Sequence, residues 1–393
     1  MKHRLVCLLA FALSAVFLCF CPGALFSSAA EIIPPENPIA DVCVDVSVSA
    51  RAAILVEETS ETVLFEKDAD ARLPMASTTK IMTALVALEN AEPDRLIATP
   101  KEAVGTEGSS IYLFEGEVLS LDDLLWALLL NSANDAAVAI AYGVAGGVVP
   151  FVDLMNEKAA ALGLENTRFA NPHGLDDPKH YTSARDLATI TCAALENPLI
   201  REMVSTRKKT IPHNGEDGAR LLVNHNKLLR LYNGACGVKT GFTKRSGRCL
   251  VSAAERDGCS LIAVTLDAPS DWSDHSAMLD AGFAAIDALS LANENEILLS
   301  LPVVGGIEEC VAICNPAAVE LLLPATHGEI TRTIELPRFL YAGIPAGKAV
   351  GRVVWYADGK RIAEVPLITA QAAEKPKKDN WFISFWKKIF HID

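Results

Sequence analysis

A serine set three residues ahead of a lysine can be a nucleophile with its own base, and Ser77-Thr78-Thr79-Lys80 supplies such a pair. Two further strings follow in order, Ser132-Ala133-Asn134 and Lys239-Thr240-Gly241. In the second, Ser132 and Asn134 suit a proton relay and a substrate clamp. In the third, Lys239 brings a cation, Thr240 a hydroxyl and Gly241 a bare stretch of backbone. Together these are the parts of an acyl-transfer site. Two lysines also answer a chemical problem. A lysine acts as a base only when neutral, and its ordinary pKa near 10.4 leaves it charged at pH 7. Lowering that value by two to three units takes about 3–4 kcal/mol of destabilisation of the ammonium. Burial and a neighbouring cation both push that way. Lys80 is therefore read as the base and Lys239 as its electrostatic partner.

Two other Ser-x-x-Lys strings, Ser205–Lys208 and Ser384–Lys387, lack this context. Roughly one or two such matches arise by chance in a chain of this length. Ser77 is followed by Ile81, Met82, Leu85, Val86 and Leu88, an apolar set at helical spacing. That predicts a helix starting at Ser77 with Lys80 on the same face, its N-terminus favouring negative charge on the serine oxygen. Ser205 lies in a polar run read as a solvated strand or loop. Gly237–Phe242 reads as a strand entering a turn, where a glycine permits another backbone to approach closely. A substrate peptide can lie along such an edge as an added strand.

The elements that must position these motifs follow from periodicity. Ala52–Glu57 and Thr62–Glu66 predict a β-hairpin. Helical spacing covers Leu121–Leu130, Asp135–Ala145, Val152–Leu162 and Ala184–Leu195. Strand patterns return at Cys249–Ala254 and Ser260–Leu266, and a helix over Ser276–Ala288 closes the unit. Strands, helices, then strands again imply an α/β (α+β) domain over 47–290, whose sequence-distant strands pair around a helical insert. From residue 291 to 371, Pro and Gly punctuate short apolar strands, which predicts a separate all-β domain, a β-sandwich. Its clearest hairpin joins Val350–Tyr356 to Ile362–Leu367 through Asp358-Gly359.

Residues 1–30 have the pattern of a secretory signal: Lys2 and Arg4, an apolar run from Leu5 to Phe20, then Ser28-Ala29-Ala30. As a helix the run is about 24 Å long, short of a membrane span. Residues 31–46 read as a tether. Residues 372–393 read as a linker and an amphipathic helix. Trp381, Phe382, Phe385, Trp386, Ile389 and Phe390 fall on one helical face, with lysines beside it, a pattern that suits a membrane interface. The net charge of −14 argues against nucleic acid as a partner. Of ten cysteines, three lie in the leader and the other seven are scattered, unlike a disulfide framework. Cys310 and Cys314, if on a strand, stand about 13 Å apart, too far to bridge. No metal ligand set and no cofactor motif is read from the sequence.

The chain resembles the serine-type D-alanyl-D-alanine carboxypeptidases, the low-molecular-mass penicillin-binding proteins. The resemblance is carried by Ala76–Thr83, Asn131–Asp135, Gly237–Thr243, Gly247–Leu250 and Gly343–Gly347. It implies a penicillin-binding/β-lactamase-like fold, with an antiparallel sheet flanked by helices. It implies that Ser77 attacks the peptide bond between two terminal D-alanines of a peptidoglycan stem, and that β-lactams acylate the same serine. Backbone N–H groups of Ser77 and Phe242 would form the oxyanion hole. Lys239 and Thr240 would hold the substrate's terminal carboxylate. His173, in Asn171–Asp176, matches a loop beside the site in relatives, while Asn224, His225 and Asn226 read as hydrogen-bonding loop residues. The implied place of action is the outer face of the cytoplasmic membrane. A β-lactamase, a transpeptidase and a penicillin-sensing receptor domain are the alternatives. The Ser-Ala-Asn string and the extra β domain weigh against the first.

Overall fold

The computed structural model describes residues 37–213 and 218–376. The leader 1–30, residues 31–36 of the expected tether, the string Ser384–Lys387 and the aromatic face of the tail lie outside the described residues. At the centre is a five-stranded antiparallel sheet in the order Val63–Lys67, Ala52–Glu57, Cys259–Leu266, Gly247–Arg256, Ala235–Thr243. Its middle strands are mostly apolar because both faces are covered. Ile54, Val56, Val251, Ala253, Ile262 and Val264 face the larger core. Ala53, Leu55, Ala254, Leu261 and Ala263 face a second core on the other side.

The larger core holds the helical insert. Helix Leu121–Leu130 starts where Ser120 accepts from the Asp123 amide, and helix Ala184–Leu195 where Ser183 accepts from Asp186. On the opposite face, helix Asp271–Ala285 lies close to the sheet at Gly282. A Cβ there would come within 2.7 Å of Leu261 and 2.8 Å of Leu55. Ile39 and Val44, within the expected tether, are buried in this second core. Strands Ala52–Glu57 and Cys259–Leu266 pair across some two hundred residues, Ala52 opposite Leu266. This is the closure expected from the strand–helix–strand pattern.

Several boundaries differ from the periodicity, among them the end of the last helix: Ile286–Ala288, expected within it, open the strand Ile286–Ala292. Helix Val148–Ala161 and helix Asp271–Ala285 begin earlier than expected, since their first turns carry Pro150 or the polar Asp271 and Asp274. Ser205 ends helix Pro198–Ser205 rather than lying on a strand or loop, and Lys208 begins the strand Lys208–His213.

The C-terminal part is all β. A six-stranded sheet runs Ile330–Glu335, Ala349–Ala357, Lys360–Thr369, Cys310–Cys314, Leu299–Val304, Leu340–Tyr341. A ribbon of Ile286–Ala292 and Val319–Pro324 packs with it around one apolar core. The expected hairpin is present, with Asp358 and Gly359 at φ 49° and 77° in its turn. Cys310 and Cys314 occupy the two ends of one strand, and both are free thiols.

Candidate active site

Ser77 lies in a single 3-10 turn, Ala76–Thr79, and the α-helix proper runs from Lys80 to Asn90. The expected helix thus starts three residues after the serine. The tighter turn serves the spacing well, because residues i and i+3 eclipse in a 3-10 helix. The turn is tied down on several sides. Ala76 takes a left-handed φ of 47°. Gly174 packs so close to it that a Cβ would stand 2.0 Å from Ala76 O. Thr78 Oγ1 donates to Met75 O and Thr79 Oγ1 to Ala76 O, each at 2.7 Å. His180 Nδ1 accepts from Ala170 N at 3.0 Å, so Nε2 carries the proton and donates to Thr79 Oγ1 at 2.7 Å.

Lys80 is fully buried, and its Nζ meets three oxygens: Ser77 Oγ at 3.0 Å, Asn134 Oδ1 at 2.7 Å and the main-chain carbonyl of His173. Burial, and secondly the cation of Lys239, pull its pKa well below the usual lysine value; Asp135 opposes them. Burial lowers Lys239 to about 7. Two ammonium groups in one desolvated pocket favour loss of a proton from one of them. In the neutral amine two N–H groups serve Asn134 and His173, and the lone pair faces Ser77 Oγ–H.

Asn134 opens helix Asn134–Ala145. It is held by donating through Nδ2 to Glu107 O at 2.6 Å. Next to it, Asp135 accepts from Ser110 Oγ, Ile111 N and Leu113 N, which fastens the 107–113 loop over the motif. Ser132 is buried with φ 58°, in the bend between two helices. Gly241 lies on the outermost strand, where a Cβ would stand 3.0 Å from both Met75 O and Ser77 N. The glycine is what lets this strand press against the serine turn. Thr243 Oγ1 bonds Asp176 Oδ1 at 2.9 Å, linking the strand to the His173 loop.

A cleft of about 340 Å³ is lined by Ser77, Ser132, Thr240, Gly241 and Phe242, together with Ser109, His225, Arg248, Asp271 and Trp272. A larger cavity of about 530 Å³ at the junction with the β domain contains none of the motif residues. All the sequence-derived site residues therefore gather in one neighbourhood. His173 does so through its carbonyl; its Nδ1 accepts from Leu175 N at 3.2 Å, and burial lowers its pKa to about 3.

Several residues in or beside the cleft were not assigned to it from the sequence. His225 lines the cleft, and burial and Lys239 lower its pKa. Arg248 reaches it from the neighbouring strand, opposite Phe242. Its Nε lies 2.9 Å from Asp271 Oδ1 and its guanidinium 5.9 Å from the Trp272 ring. Asn224 and Asn226 do more than order their own loop. Asn224 bonds Val204 O and Thr206 O, and Asn226 bonds Gly237 O at 2.6 Å, fixing the start of the Lys-Thr-Gly strand. Cys236, pushed up to about 11 by burial, is not a reactive thiolate.

A family profile described as D-alanyl-D-alanine carboxypeptidase matches residues 39–270. The chain belongs to this family. A second profile, described as Penicillin-binding protein 5, C-terminal domain, matches residues 288–375. The D-alanyl-D-alanine carboxypeptidase DacF of Bacillus subtilis is 31% identical, over 86% of this chain and 88% of its own length. DacC of Escherichia coli is 32% identical, over 84% and 85%. Penicillin binding protein 5 from Haemophilus influenzae has a solved structure that superposes with a TM-score of 0.61 at 28% identity, covering 84% of this chain and 99% of that one. The D-alanyl-D-alanine carboxypeptidase from Mycobacterium tuberculosis gives 0.58 at 32%, covering 63% and 96%. This carboxypeptidase is a serine-type hydrolase of the penicillin-binding superfamily, with a mixed α/β catalytic domain and an all-β domain behind it.

Proposed function

We propose that Ser77 is the nucleophile that removes the terminal D-alanine from peptidoglycan stem peptides. Neutral Lys80 takes the Ser77 proton as Oγ attacks the penultimate D-alanine carbonyl. The oxyanion forms against the N–H groups of Ser77 and Phe242. Ser132 relays the proton to the departing amine and Asn134 holds both Lys80 and the substrate backbone. Lys239 and Thr240 receive the terminal carboxylate, and Arg248 adds a second cation at the same cleft. The C–N bond breaks, D-alanine leaves with its proton, and water then hydrolyses the acyl-enzyme. β-Lactams acylate Ser77 by the same route and leave slowly.

The observation that carries this reading is the 3.0 Å approach of the fully buried Lys80 Nζ to Ser77 Oγ, which lines the cleft. Transpeptidation shares the acyl-enzyme and differs only in the acceptor. The catalytic domain works outside the cytoplasm, and the lysine- and aromatic-rich residues 375–393 hold it at the membrane surface. Purified protein should release D-alanine from a D-Ala-D-Ala peptide and form a covalent penicillin adduct. Both should vanish in Ser77→Ala, and an adduct that persists there excludes Ser77. Deleting residues 375–393 should free the protein from membranes with activity intact; continued sedimentation with membranes would overturn the anchor.

A further inference from the structure

Where the chain leaves the β domain, one side of the surface is apolar. Strands Leu299–Val304 and Leu340–Tyr341 run parallel, with Val303 opposite Leu340 and Val304 opposite Tyr341. Side chains alternate between the faces of a strand. Val303 and Leu340 accordingly pack on the core, and Val304 and Tyr341 point away from it. Phe339, two residues before Tyr341, shares that outer face, and the two rings meet edge to face at 5.3 Å. Tyr341 is 67% exposed, Ile307 56%, Val304 49% and Phe339 43%.

The chain exits at this same spot. Ile307 N donates to Glu374 O at 3.0 Å and Gly343 N donates to Ala373 O. The Lys375 side chain passes over Gly343. Between Lys375 and Trp381 an extended chain reaches no more than about 20 Å. Any bilayer that receives Trp381 therefore lies within that distance of the patch.

We infer that this end of the β domain is itself a lipid-contacting surface, with Phe339, Tyr341, Val304 and Ile307 seated among the headgroups beside the tail. The inference rests on the reading of residues 375–393 as an anchor. Aromatic side chains with one apolar and one polar end favour the membrane interface. Local charges nearly offset, Arg338 and Lys375 against Glu308, Glu309 and Glu374, so the contact is apolar in character. The tail adds Lys377, Lys378, Lys387 and Lys388, an attraction to anionic lipid that salt weakens. The two contributions therefore separate by ionic strength. The anchor holds the protein to the membrane, and the patch sets the tilt of the domain above it.

The test is vesicle co-sedimentation of the full chain and of the double variant F339T/Y341T. Vesicles are phosphatidylcholine alone or mixed with phosphatidylglycerol, at low and high salt. The double variant should bind phosphatidylcholine at high salt about tenfold more weakly and release D-alanine in solution at the normal rate, which also shows that it folds. Equal binding by the two proteins overturns the patch. Loss of residues 377–393 should abolish the salt-sensitive binding to anionic vesicles. If that binding survives, the anchor reading fails and takes this inference with it, whatever the double variant does. Hydroxyl-radical footprinting should show Phe339 and Tyr341 reactive in solution and protected on vesicles. Protection already in solution, relieved by removing residues 377–393, would make the tail the occupant instead and overturn the lipid contact.

Discussion

A Cβ on Gly241 would stand 3.0 Å from the backbone nitrogen of Ser77. Met75 O and Ala76 Cβ are equally near, at 3.0 and 3.1 Å, so the strand and the serine turn have no slack between them. Gly241→Ala should push the Phe242 and Ser77 amides apart by a few tenths of an ångström. Acylation by penicillin should fall about tenfold to a hundredfold, with little change in thermal midpoint. An unchanged acylation rate would mean the two amides do not work as a pair.

Lys80→Arg keeps a cation in place but removes the base, since a guanidinium is never neutral in a protein. Its acylation rate should drop by about 10³. In the native protein acylation should rise with pH as Lys80 loses its proton, at a midpoint well below that of an ordinary lysine. Lys239→Met removes a cation that lowers the Lys80 pKa, so this limb should move to higher pH. Rapid-quench acylation at saturating penicillin, measured from pH 5 to 10, reads both effects. A limb that stays put would show that Lys239 does not tune Lys80.

Arg248→Gln should raise KM for D-Ala-D-Ala peptides and leave kcat nearly unchanged. One charge-assisted contact of about 2 kcal/mol corresponds to roughly thirtyfold. Peptides with an amidated C-terminus should not distinguish the variant from the native protein. If both peptide types lose equally, Arg248 supports the cleft wall and does not meet the carboxylate.

Two buried histidines, His180 and His275, and the half-buried His173 should make the fold sensitive to acid. His173 and His275 are lowered to about 3 and His180 to about 4, in each case chiefly by burial. The unfolded chain then takes up protons first as the pH falls. Stability is full above about 6.5 and declines as the pH falls, down to about 4 for His180 and about 3 for His173 and His275, by up to ~1.4 kcal/mol per pH unit for each histidine. His275 sits between Ser252 Oγ and Thr265 Oγ1, far from the motif serine in function. Urea titrations of His275→Gln at pH 7, 6 and 5 should give a shallower slope than the native protein. An equal slope would exclude a neutral buried His275.

What could be read in the sequence was whatever is local. Ser77 and Lys80 are three residues apart, and so their shared face is visible without a structure. The same holds for the Asp358-Gly359 turn, whose two residues are suited to positive φ. Arg248 and Trp272 were not assigned to the cleft: Arg248 faces it only through the register of a hairpin that sets it opposite Phe242, and Trp272 arrives at the start of a helix that crosses the other face of the sheet. His173 illustrates a different limit. Residue type advertises an imidazole, but the group that meets Lys80 is a peptide carbonyl, which every residue has. The 3-10 turn at Ser77 was likewise unreadable, since it depends on Gly174 packing against Ala76 from nearly a hundred residues away.

Ser77 and Lys80 belong to the helical layer and Lys239 and Thr240 to the edge strand Ala235–Thr243 of the sheet, so neither layer alone contains the whole candidate site. A chain whose two layers have not yet packed together therefore lacks the assembled cleft. Covalent capture of a fluorescent penicillin should thus count only molecules in which both layers have come together.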